Sequence, residues 1–256
     1  MAEDNTSIVQ KPRDYSEIIK LGEKTAWDEF LDNPTTQALE AFTGALALGV
    51  KQTPLAAGRM AQAIVKGKML AQLAEEWKAL REAGKLRDDL GESDRGLYTW
   101  AELVNVIDQD CPDEERLEAL KAMFYAVNKV SAEDADRIQA YQLWRMVKEM
   151  NSGDLLVLKV IYSRMNQTPN PSWDVWMDYI AKESGLGFRE LLERHEKRLI
   201  DFSLLTPRFR VARDGHGPES GIHDSNNRLT QVGVRFCQNI RTFQIDLEAA
   251  GRKKPK

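Results

Sequence analysis

Residues 188–201 read FRELLERHEKRLID and are followed by LLTPRFRVA at 204–212, RDGHGPESGIHDSNN at 213–227 and RLTQVGVRF at 228–236. The first segment opens after the turn Gly185-Leu186-Gly187 and is rich in helix formers, so it predicts a helix over Phe188–Asp201. Leu204–Ala212 alternates as a strand does, the next fifteen residues are a Gly- and Asn-rich connection, and Arg228-Leu229 returns before Thr230 caps a last helix. Two further helices precede this stretch, Leu155–Met165 and Ser172–Lys182, separated by the T-P-N-P turn. Helix-helix-helix-strand-loop-strand-helix is the winged helix-turn-helix order.

The residues upstream predict helices only. Asn33-Pro34 and Thr53-Pro54 each set a capping side chain before a proline at the first helical position. From Pro54 the apolar residues Met60, Ile64, Leu70, Leu73, Trp77 and Leu80 mark one buried face of a long helix ending at Gly84. Ala38–Val50 is apolar as well and pairs with that helix as an expected buried hairpin. Lys85–Gly96, charged and glycine-bounded, reads as a loop. Thr99 then caps a helix through Leu103, Val106 and Ile107, and Pro112 opens another with Leu117, Leu120, Phe124 and Val127 on one face. Ser131 opens a third through an S-A-E-D capping box, with Ile138, Tyr141, Trp144 and Val147 as its buried stripe. The expected fold is mainly α: a helical N-terminal bundle followed by a winged helix-turn-helix-like C-terminal module. Its division is a flexible tail over 1–14, a helical domain over 15–150, the winged-helix-like domain over 151–246 and a basic tail over 247–256.

A chain of 256 residues buries a sizeable core without metals or disulfides. Cys111 and Cys237 lie far apart and form no C-x-x-C pair, which points to a reducing compartment. The polar start MAEDNTSIVQKPRDYSE lacks the order of a secretory signal, and the expected location is cytoplasmic. A membrane role for the hairpin is disfavoured by Lys51, Arg59, Lys66 and Lys68, each costing about 2.5–3.5 kcal/mol at mid-bilayer. The net charge of −4 is uneven: residues 151–256 hold 17 Lys+Arg and 13 Asp+Glu, leaving 19 of 36 basic and 27 of 40 acidic residues in the first 150. The back half is therefore the expected nucleic-acid surface, if there is one.

The stretch DEERLEALKAMFYAVNKVSAEDADRIQAYQLWRMVKEMNSGDLLVLKVIY at 113–162, with RLTQVGVRF at 228–236, resembles the bacterial family named abortive-infection protein alpha. The similar part spans about residues 100–245 and consists of apolar patterns more than single motifs. The resemblance implies a helical region joined to a winged-helix-like end and a role in anti-phage defence, and it supplies no catalytic residues. Leu229-Thr230-Gln231-Val232-Gly233, an L-T-x-x-G element, also follows the wing in many winged-helix regulators. The expected function is a non-enzymatic interaction protein that binds a protein partner or phage component, with homo-oligomers compatible. The alternative is a DNA-binding winged-helix transcriptional regulator.

Motifs for phosphate-loop, dinucleotide, zinc-protease and nucleophile-elbow chemistry do not occur. Arg189 and His195 fit the R-x(4–6)-H spacing of helical ribonucleases associated with bacterial defence, where a base and a cation act on the RNA 2′-OH and phosphate. Arg210 and His216 fit it too, inside a glycine-rich segment, so chance accounts for both. His216 and His223 with Asp214 and Asp224 have metal-competent donors at irregular spacing; a solvated wing is the preferred reading, with no metal or cofactor. The nucleic-acid alternative rests on Arg189, Arg194, Lys197 and Arg198 in the third helix and on Arg208, Arg210, Arg213 and Arg228 around the wing. Glu190, Glu193 and Glu196 interleave with the helical cations and compete with phosphate for them.

Overall fold

A computed structural model describes residues 54–91, 93–164, 173–207 and 228–251. Among them the chain forms eight α-helices: α1 Pro54–Glu82, α2 Asp94–Asp110, α3 Glu114–Asn128, α4 Asp134–Glu149, α5 Ser152–Arg164, α6 Trp173–Glu183, α7 Arg189–Asp201 and α8 Gln231–Ala249. A short 3-10 turn, Asp88–Gly91, joins α1 to α2. The chain is mainly helical, as the sequence predicts.

Helix α3 is the axis of the fold. Ala119 through Asn128 are buried without a break, so the helix has no solvent face over most of its length. A helix buried on all sides needs other helices around it, and here α2, α4, α5 and α8 supply them. Its start is fixed by Asp113, whose side chain accepts from Arg116 N at 3.0 Å, and by Glu114 and Glu115 in the positive first turn. Phe124 at its centre meets Trp77 of α1 at 5.0 Å, Trp100 of α2 at 6.0 Å and Trp144 of α4 at 6.4 Å between ring centroids. Trp77 also meets Phe243 of α8, at 5.8 Å. Such tilted and edge-on pairs add about 0.5–1.5 kcal/mol each beyond area burial. One hydrophobic core thus runs from Leu73 on α1 to Phe243 on α8, across the expected boundary at residue 150.

Several expected details are corrected. Helix α2 begins at Asp94, with Ser93 as the cap accepting from Gly96 N at 3.2 Å, so the expected loop over Lys85–Gly96 is partly a 3-10 turn and partly helix. Thr99 is no cap: it is buried inside α2, its hydroxyl donating to Arg95 O at 2.9 Å. Ser131 does not open α4 either. The cap is Glu133, without a side-chain cap bond, because Leu86 pairs with Lys129 and Val130 N donates to Lys85 O, holding residues 129–130 extended against the α1–α2 connection. The apolar faces are narrower than predicted, since Ile64 is 42% exposed on α1 and Ile138 is 54% exposed on α4.

At the C-terminal end, α5, α6 and α7 lie where the sequence predicts helices. Leu205 and Leu229 form an isolated antiparallel bridge, and among the described residues no strand extends beyond it. Thr230 caps α8 as predicted, its hydroxyl oxygen accepting from Gly233 N at 3.0 Å while Thr230 N donates to Leu204 O at 3.1 Å. A Cβ on Gly233 would overlap that Leu204 carbonyl, so only glycine lets α8 start this close to the bridge. Helix α8 continues to Ala249. The first arm of the expected hairpin, Ala38–Val50, lies outside the described residues, and no described helix is long and apolar enough to cross a membrane.

Candidate functional site

Four of the eight singled-out cations lie on α7. Arg189 bonds Glu193 one turn on, at 3.4 Å. Arg194 and Lys197 are exposed and form no ion pair among the described residues. Arg198 turns inward: its Nη2 donates to Glu149 O at 2.7 Å and lies 3.4 Å from Asp154 Oδ2. Arg228, in the segment leading to α8, is only 4% exposed, and its guanidinium donates to Glu196 Oε1 at 2.9 Å and Thr206 O at 3.1 Å. It ties the bridge to α7 instead of facing solvent. Arg208, Arg210 and Arg213 lie outside the described residues, as do His216, His223, Asp214 and Asp224.

Arg189 and His195 do not converge. Six residues on a helix turn their side chains about 120° apart. Arg189 is exposed, whereas His195 points into the α5–α7 junction, its Nδ1 donating to Asp154 Oδ1 at 2.8 Å. Asp154 is fully buried and works twice over: its other oxygen accepts from Asn151 N at 3.0 Å, while Asp154 N donates to Asn151 Oδ1 at 3.0 Å. This reciprocal capping box fixes the start of α5. The N-S-G-D order at 151–154 carries that signal in the sequence.

A deep concavity lies elsewhere, between α1, α3, α5 and α8. A cleft of about 470 Å³ has Met69, Leu117, Phe243 and Leu247 among its walls and a buried ion pair in its lining, Lys121 Nζ to Glu76 Oε2 at 2.6 Å. Gln72 Nε2 donates to the second oxygen of Glu76 at 2.8 Å, and an ion pair this well bonded offsets part of its desolvation cost. Beside it a second hollow of about 270 Å³ is walled by Leu155, Leu158, Phe236, Cys237 and Ile240. Both are bordered by Glu115, Glu118, Lys159 and Gln244, so they form one groove. Lys159 meets Glu115 at 3.3 Å, and Gln244 donates to Glu118. Burial pushes the Cys237 thiol from its ordinary 9.0 up to about 12, which keeps it protonated and poorly nucleophilic near neutral pH. Tyr125 behaves similarly: burial first, then the hydrogen bond to Asp246 Oδ2 at 2.8 Å, raises its phenol.

Sequence reasoning did not find this groove. Glu76 and Lys121 are 45 residues apart, and nothing local to either marks a buried pair. The chemistry it offers is that of recognition: apolar walls for side chains, with carboxylates and amides at the edge. No family model, curated protein or solved structure matches the chain.

Proposed function

We propose that the chain is a non-enzymatic, cytoplasmic interaction protein of bacterial anti-phage defence, which acts by binding a protein partner or phage component. The observation that carries this reading is the open groove between α1, α3, α5 and α8, with an apolar hollow at one end and charged groups lining the other. The resemblance of residues 113–162 and 228–236 to abortive-infection protein alpha supplies the setting. Expression from a native promoter should lower phage plating or shorten the survival of infected cells for at least one phage of a broad panel. Unchanged plating and survival across the panel would overturn the proposal.

A second reading, a DNA-binding winged-helix regulator, draws support from the order α5, α6, α7, Leu205–Leu229 bridge, α8, and from the exposed Arg194 and Lys197. In it α7 is the groove-reading helix. Binding to genomic fragments would then weaken steeply with salt and fall in a variant carrying Arg194→Ala and Lys197→Ala. No binding at low salt removes it.

A further inference from the structure

The two ends of the groove differ in chemistry, and the difference specifies an occupant. One end offers the apolar hollow around Leu155, Leu158 and Ile240. The other is lined by five carboxylates, Glu76, Glu114, Glu115, Glu118 and Glu248, against the two ammonium groups of Lys121 and Lys159. Lys121 is spent on Glu76 and Lys159 on Glu115. Glu114 and Glu248 are exposed and form no ion pair among the described residues. With Arg241 of the apolar end counted, five carboxylates face three cations, so negative charge exceeds positive by two along the groove.

We infer that this groove docks a basic amphipathic helix of a partner protein, a statement that rests on the interaction reading above. The partner's apolar stripe meets the hollow between α5 and α8, and its Lys or Arg side chains lie along Glu114 and Glu248. Charge complementarity selects this occupant. A nucleic acid or an anionic lipid surface would bring phosphates against five carboxylates, whereas a cationic helix is attracted, oriented and held in register by them. The walls are themselves helices, so a further helix packs on them by ridges and grooves.

The test uses the full chain and a fluorescent synthetic peptide of about 18 residues, with Leu at i, i+3, i+4 and i+7 and Lys elsewhere. Its controls are a scrambled peptide without the stripe and a version with Glu in place of every Lys. Saturable binding of the Lys/Leu peptide is expected, weakened at least about tenfold by E114K combined with E248K and also by Ile240→Asp, with the scrambled and acidic peptides binding at least about tenfold more weakly. The double variant changes only exposed groups and tests the proposal even if I240D fails to fold. Absence of saturable binding at low salt, equal binding to E114K/E248K, tight binding of either control peptide, or a dimer broken by I240D whose second copy fills the groove would each overturn it. Phage plating separates this claim from the one beneath it. No protection by the wild-type chain removes the defence reading whatever the peptide does, and protection that survives E114K/E248K removes the groove alone.

Discussion

His195 Nδ1 stands 2.8 Å from Asp154 Oδ1, across the junction of α5 and α7. The contact is made possible by Gly153, because a Cβ at that position would overlap the imidazole ring. In an ordinary helix Gly→Ala stabilises by about 1 kcal/mol. Here the overlap forces the ring from a buried carboxylate that also caps α5, at a cost of about 2–4 kcal/mol, so the sign reverses. Gly153→Ala should lower the midpoint of urea unfolding. Adding Gly153→Ala to a His195→Ala background should not lower it further, since the ring is already gone. An unchanged midpoint in the single variant would contradict the described packing.

The groove thiol gives a second test. Cys237 is buried and its thiol is pushed up to about 12, whereas Cys111 is half-exposed at the end of α2. At about pH 8 a thiol-specific dye should label one cysteine of the native chain quickly and the second only on unfolding. Rapid labelling of both, or loss of slow labelling in a Cys111→Ser variant, would contradict it.

Alkaline pH should destabilise the fold in a defined direction. Tyr125 holds its proton more tightly folded than unfolded, because of burial and then Asp246, so its stabilising contribution is complete below the unfolded value of about 10 and declines as pH rises above it. Cys237 acts in the same sense from 9.0 upward to about 12. The urea midpoint should therefore fall between about pH 9 and about pH 11. Tyr125→Phe should cost about 1 kcal/mol at neutral pH through the lost bond to Asp246 and should flatten the alkaline decline. An equal decline in the variant would assign the dependence to other groups.

What was legible in the sequence follows from how local each signal is. Thr230 and Gly233 sit three apart, the hydroxyl caps the amide directly, and the start of α8 is read without tertiary knowledge. Ser131 carries an equally plausible local signal and fails, because pairing of Leu86 with Lys129 holds the chain extended up to residue 130 and delays α4 to Asp134. Arg228 and Arg198 read as surface cations, since arginines usually are, yet Glu196 and Asp154 draw them inward through contacts that sequence order does not announce. The groove joins residues of α1, α3, α5 and α8 and is legible only once those helices are packed.

If the protein grips a partner in the α3–α5–α8 groove, as proposed, and does not read DNA with α7, then only the groove surface is needed for its effect on phage. Phage plating on cells expressing matched levels of three chains tests it most directly: the wild type, the Glu114→Lys, Glu248→Lys variant and the Arg194→Ala, Lys197→Ala variant. Protection by the wild type, its loss in the groove variant and its retention in the α7 variant are the predicted results. Protection that persists in the groove variant and disappears in the α7 variant would contradict the account and favour the DNA-binding alternative.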